Sequence, residues 1–193
     1  MNVKDKDEAT SLWTLPNRLS MIRILFIPLI VFLISTRKDG FLLASCLFFI
    51  VAGITDGLDG YIARKMSLTT KLGLYLDPIA DKLLVSSVLI TLTYYNAIPL
   101  WVTLILVGRE FLINGLRAFY AMEGIAIYPS HSGKLKTALQ IIGISCVLFN
   151  SPAERIDAVI HQIGLVIVYA ALFFSIYSAV DYLRALFKPS TEH

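Results

Sequence analysis

The sequence predicts an all-α fold: a polytopic membrane bundle of six transmembrane helices with an N-terminal interfacial segment. Three observations carry this. Of 193 residues, 56% are hydrophobic and only 16% charged, with mean hydropathy +0.71, which is too apolar for a soluble domain. Long apolar runs recur, separated by short turns that gather Pro, Asn, Gly and basic residues. The densest group of acids lies inside apolar sequence instead of between the runs. Net charge is only +3, so where the charges sit matters more than their sum.

The elements follow in order. Residues 1–16 form a polar segment, with Trp13 and Leu15 suited to headgroup depth. It has no early apolar core, so no cleavable signal peptide is expected. Pro16-Asn17 opens the first span, over 19–36, with Asn17 as its N-cap. Pro28 is expected to kink it, and Arg23, a turn inside, can snorkel or reach a ligand phosphate. A turn at 37–40 follows. The uncharged run 41–55 has fifteen residues, and a bilayer needs about 20. The second span therefore continues through the first acids to Met66. By the same reasoning the third starts near Leu72, takes in the next acids and ends near Tyr95. Residues 96–99 form a tight turn, and the fourth span covers 100–122 with Trp101 at its outer end. A loop over 123–133 precedes the fifth span at 134–150. Polar residues 151–157 lead to the sixth, 158–187, and a tail of 188–193. One domain over 1–193 is expected, its bundle at 17–187, with no repeat and no soluble module. Cys46 and Cys146 lie in apolar runs and read as small buried hydrophobes, not a disulfide framework. No nucleic-acid partner is expected.

Six spans put both termini on one side. Lys4, Lys6, Arg18, Arg23, Arg64, Lys65, Lys71, Lys134, Lys136, Arg184 and Lys188 then fall on the N-terminal side, and Arg37, Lys38 and Arg155 on the other. The positive-inside rule makes the N-terminal side cytoplasmic.

The functional centre is expected between Asp56 and Asp81. Asp56 and Asp59 are i,i+3 and Asp77 and Asp81 are i,i+4, so each pair shares a helix face. Carboxylates in a low-dielectric setting must be paired, protonated or bound to metal. Pairing could come from Arg64, Lys82 or Arg109. Four carboxylates facing one turn suit hard divalent cations, Mg2+ or Mn2+, two ions being the expected number. Gly57, Gly60 and Gly73 allow close backbone approach, or alternatively close helix packing.

The run Asp56-Gly57-Leu58-Asp59-Gly60-Tyr61-Ile62-Ala63-Arg64, eight further residues, then Gly73-Leu74-Tyr75-Leu76-Asp77-Pro78-Ile79-Ala80-Asp81 resembles the signature of the CDP-alcohol phosphatidyltransferases. Every specified position is filled. The segment from Pro16 to Arg23 resembles that family's entry motif, with Ser20 where Thr is usual. The resemblance implies a metal-dependent membrane transferase that acts on a CDP-linked lipid and releases CMP. It implies that Asn17, Ser20, Arg23, Asp56, Gly57, Gly60, Ala63, Arg64 and Gly73 bind that lipid. Asp56, Asp59, Asp77 and Asp81 would hold metal. Asp81 is assigned as general base toward the acceptor hydroxyl, with metal ligation open to it as well. A homodimer is also implied.

An acceptor needs its own site. Arg109 lies at membrane depth, because the uncharged stretch before it is too short to cross; it either binds ligand or pairs with Glu110 or an aspartate. Arg117, Lys134 and Lys136 read as a pocket for an anionic head group. The run Arg109-Glu110-Phe111-Leu112-Ile113-Asn114-Gly115-Leu116-Arg117, followed by Ser132-Gly133-Lys134-Leu135-Lys136-Thr137, resembles the branch of the family that makes phosphatidylglycerophosphate. That implies CDP-diacylglycerol and sn-glycerol 3-phosphate as substrates, with Arg109, Arg117, Lys134, Lys136 and Thr137 around the acceptor phosphate, at the inner face beside Asp81. Other acceptors (inositol phosphate, serine, phosphatidylglycerol) are the alternative within the same chemistry, and a divalent-cation transporter is a remoter one. His131 and His161 are assigned no chemistry, and the last span carries no motif.

Overall fold

The computed structural model describes residues 15–66, 71–122, 131–149 and 154–187. Among them the chain is helical throughout, in six helices with no strand: α1 (Leu15–Ser35), α2 (Asp39–Met66), α3 (Lys71–Tyr94), α4 (Leu100–Met122), α5 (His131–Leu148) and α6 (Glu154–Phe187). Each expected span has its helix. Trp13 lies outside the described residues.

Several boundaries differ from the sequence reading. α1 begins at Leu15, so Asn17 sits within the first turn and is not the N-cap; Pro16 fits that turn because its missing N–H has no partner to lose there. Pro28 lies inside α1, which continues to Ser35. α2 starts at Asp39, whose carboxylate suits the positive end of the helix dipole. α5 starts at His131, so Ser132 and Gly133 are helical and not loop residues, and it stops at Leu148. α6 starts at Glu154, ahead of the expected 158.

The chain folds as two compact units, residues 1–92 with 148–152, and residues 93–147 with 153–193. In the first, α1 and α2 form a hairpin. Arg37 takes a left-handed φ of 54° and its N–H reaches Ile34 O at 3.2 Å, which closes α1 with a tight cap. Phe26 packs against Phe48 with ring centroids 5.6 Å apart, and Ile30, Ile34, Phe49 and Ala52 are buried. α3 buries Leu84, Val85, Val88, Leu89 and Leu92, one helical stripe.

In the second unit α4 and α6 run parallel. Trp101 meets Tyr169, Arg109 meets Ser175 and Ser178, and Arg117 meets Tyr182, so partners advance together along both helices. α5 runs against α6, with Gly143 facing Val168 and Gly164 facing Cys146. This crossing is close. A Cβ on Gly164 would lie 2.9 Å from Val147 N and 3.0 Å from Gly143 O, backbone atoms that cannot turn aside. Gly here permits the helices to touch.

The segment Ala158–Arg184 of α6 is long and apolar enough to cross a bilayer. Shorter apolar segments occupy Ser20–Ser35, Asp39–Thr55 and Leu135–Leu148. Large apolar side chains lie exposed along the helices, among them Leu25, Phe32, Leu104, Val166 and Phe173, each more than 60% exposed. Water would penalise so much apolar surface, whereas lipid does not.

Candidate active site

In both units the buried charged groups gather toward one end of the helices that carry them. On α4 the buried stripe reads Val102, Leu106, Glu110, Ile113, and then reaches half-buried Arg117. On α6 it reads Val168, Leu172, Ser175, Ser178, Tyr182. α5, running the other way, reads Lys136, Gln140, Ile144, Val147. The polar ends of all three helices in this unit therefore fall at the same end. In the first unit the buried charged positions fall near the starts of their helices: Arg23 precedes Ile30 on α1, and Asp81 precedes Leu84 and Val88 on α3.

The expected CDP-lipid and metal residues take their places from α1, α2 and α3. Asp56, Gly57, Asp59, Gly60, Ala63 and Arg64 are all in α2, and Gly73, Asp77 and Asp81 are in α3. The helical backbone keeps Asp56 with Asp59 and Asp77 with Asp81 on shared faces, about one turn apart. The side chains of residues 56–78, like that of Asn17, lie outside the described residues. Asp81 is described: it is buried and ion-paired to Lys82. That is one of the neutralising contacts the sequence offered. As residue types, the four aspartates offer only oxygen donors, the kind a hard divalent cation takes and a soft one does not.

The second unit carries the expected acceptor cations. Lys136 is 3% exposed and pairs with Glu110, itself 5% exposed. Arg109 Nη1 lies 3.6 Å from the same Glu110 oxygen. Its Nε donates to Ser175 O at 3.0 Å and its Nη2 to Ser178 Oγ at 2.9 Å. Arg109 therefore binds α6 as well as Glu110. Arg117 stacks over the Tyr182 ring, 5.5 Å from its centroid. Thr137 donates its hydroxyl to Gly133 O at 3.2 Å, which leaves the oxygen's lone pairs available. The Lys134 side chain lies outside the described residues. Among the described residues, Glu110 thus faces two cations, Arg109 and Lys136.

Ser175, Ser178, Tyr182 and Gln140 did not emerge from sequence reading. Their signal was present but weak. Positions 175, 178 and 182 lie at i, i+3 and i+7, a polar stripe on an apolar span, and Gln140 lies one turn beyond Lys136.

Comparison with known proteins identifies the family. Residues 13–177 match the sequence model of the CDP-alcohol phosphatidyltransferase family. A protein of Bacillus subtilis (strain 168) named CDP-diacylglycerol–glycerol-3-phosphate 3-phosphatidyltransferase is 36% identical, over 89% of this chain and 94% of its own. Proteins of the same name from Rickettsia typhi and Haemophilus influenzae are 38% and 32% identical, each over 89% of this chain and over 96% and 92% of their own. The chain belongs to the CDP-alcohol phosphatidyltransferase family.

Proposed function

We propose that this protein transfers the phosphatidyl group of CDP-diacylglycerol to sn-glycerol 3-phosphate, giving phosphatidylglycerophosphate and CMP. The observation that carries the reading is similarity over nine-tenths of the chain to proteins named for that reaction, in a chain whose α4 and α5 hold the cations the acceptor phosphate requires.

The chemistry is a direct displacement. The free C1 hydroxyl of the acceptor loses its proton to Asp81, and its oxygen attacks the β-phosphorus of the CDP-lipid. The bond from that phosphorus to the bridging oxygen breaks, and CMP leaves with that oxygen. Asp56, Asp59, Asp77 and Asp81 are the residues that would hold two Mg2+ or Mn2+ ions, which supply positive charge for the pyrophosphate when bound. Arg23 and Arg64 are the cations assigned to the CDP-lipid. Arg117, Lys134 and Lys136 are those assigned to the acceptor phosphate, with Thr137 as a hydroxyl partner. Arg109, held by Ser175 and Ser178, fixes α6 against α4. Holding both substrates converts a bimolecular encounter into an oriented one.

The same reading makes the protein multi-pass, with six spans and both termini in the cytoplasm. The helices contain 18 to 34 residues, within or beyond the span range of about 17–25. α4 and α6 run parallel with α5 opposed, as consecutive spans require. The skew of Lys and Arg then puts the polar helix ends at the cytoplasmic leaflet, where nucleotide-linked substrates are available.

The deciding experiment is CMP release by the purified protein from CDP-diacylglycerol, with glycerol 3-phosphate, inositol phosphate, serine and phosphatidylglycerol offered in parallel. Release that depends on glycerol 3-phosphate alone is expected; release with another acceptor reassigns the product, and metal uptake into vesicles without CMP release would favour a transporter.

A further inference from the structure

Among the described residues of the second unit, four polar atoms are buried without a well-formed hydrogen bond: Arg117 Nε, Gln140 Nε2, Ser175 Oγ and Tyr182 Oη. They come from α4, α5 and α6, at the polar ends of their inward faces. Arg Nε and Gln Nε2 can only donate, and the two hydroxyls can donate. Buried polar groups nearly always find partners. Four such donors around the Arg117 guanidinium suit a ligand rich in acceptors and negatively charged. A phosphate monoester has three terminal oxygens and meets that description.

Tyr182 is the informative member. It is 8% exposed, and Arg117 lies over its ring at 5.5 Å. The ring alone would serve as the stacking platform, and phenylalanine would provide that with no desolvated hydroxyl. Arg117 also interacts with the Tyr182 hydroxyl, which can accept from the guanidinium and still donate its own proton. Tyr182 Oη and Arg117 Nε belong to one stacked pair, and a single anionic oxygen beside it can accept from both. We infer that Tyr182 is a phosphate-binding residue of the acceptor site: its hydroxyl donates to the phosphate that Arg117 grips. This rests on the reading of α4, α5 and α6 as the acceptor site.

Tyr182→Phe keeps the ring and the stacked arginine and removes only the hydroxyl. Loss of a hydrogen bond to a charged group predicts a rise of about 10- to 100-fold in KM for glycerol 3-phosphate. KM for CDP-diacylglycerol should move by less than about twofold. The thermal stabilisation that glycerol 3-phosphate gives the wild-type protein in detergent should shrink in parallel, while the unliganded melting temperature holds. An unchanged glycerol 3-phosphate KM and undiminished stabilisation would overturn the assignment of Tyr182. So would a fall in kcat alone or in unliganded stability alone, which mark a structural role. Should the variant fail to fold, 3-fluorotyrosine placed at 182 in the otherwise wild-type chain gives the same answer: its resonance must shift with glycerol 3-phosphate and not with CDP-diacylglycerol. Wild-type turnover with a different acceptor, and no response to glycerol 3-phosphate, would instead overturn the acceptor reading itself.

Discussion

The Arg109 guanidinium donates to the Ser178 hydroxyl at 2.9 Å, across sixty-nine positions of sequence. With the bond from Arg109 Nε to Ser175 O at 3.0 Å, it ties the middle of α4 to α6 through a planar fork that lysine cannot reproduce. A double-mutant cycle should show the coupling. Ser178→Ala alone should destabilise the protein by about 1–3 kcal/mol, since a buried cation loses an acceptor. In an Arg109→Ala background the same change should cost clearly less. Additive losses in detergent melting would mean that the bond carries no energy.

Glu110 serves two cations. It pairs with Lys136 and lies 3.6 Å from Arg109, with both acid and lysine nearly inaccessible. Removing one partner of a buried pair leaves an uncompensated charge, at a cost of about 3–5 kcal/mol. Glu110→Gln should therefore lower stability more than Lys136→Met, which removes the cation and keeps an apolar stem in place. Equal or reversed losses in chemical denaturation would refute this ordering.

The helices were legible in the sequence because turn residues and run lengths mark them. Their ends were not, because a residue such as Asn17 suits both a cap and a first turn, and local packing decides. Asp81 and the cations of α4 and α5 were legible as charges that apolar sequence would not otherwise carry. Their partners were not. Glu110 and Lys136 are twenty-six residues apart, and their pairing needs the α4–α5 packing. Ser175, Ser178 and Tyr182 read as ordinary span residues until the parallel register of α4 and α6 sets them opposite Arg109 and Arg117.

The carboxylates of α2 and α3 should be indispensable to turnover and dispensable to folding. Asp56→Asn, Asp59→Asn and Asp77→Asn preserve side-chain size and remove one negative charge each, so metal affinity falls while the helices keep their packing. Each variant should lose most CMP release and still elute as a folded species in detergent. Saturating chelator should silence the wild type, with Mg2+ or Mn2+ restoring it. Full activity in chelator would sink the metal assignment.

Topology can be read by labelling. In a chain with Cys46 and Cys146 replaced, Lys38→Cys should react with a membrane-impermeant maleimide from outside intact cells, and Lys71→Cys only after the inner face is opened. Arg37 and Lys38 lie in the turn between α1 and α2 and are exposed, so reagent access at 38 is not limited by packing. The reverse pattern would place the aspartates on the other leaflet.

Arg117 and Lys134 should determine acceptor affinity without affecting the CDP-lipid. Glycerol 3-phosphate carries nearly two negative charges, which the four aspartates repel unless cations intervene, so its phosphate needs a cationic seat of its own. Arg117 has the Tyr182 ring beneath it and interacts with the Tyr182 hydroxyl, so its guanidinium is preorganised by contacts that use only part of its five N–H donors. Losing a charged, two-point grip on phosphate costs a few kcal/mol, and Arg117→Ala or Lys134→Ala should lower acceptor kcat/KM by about 10²-fold or more. Arg117→Lys should recover only part of that, because an ammonium offers charge without the fork. KM for CDP-diacylglycerol should stay near its wild-type value throughout. Variants that lost affinity for the CDP-lipid and kept their glycerol 3-phosphate KM would show that these cations serve the other substrate.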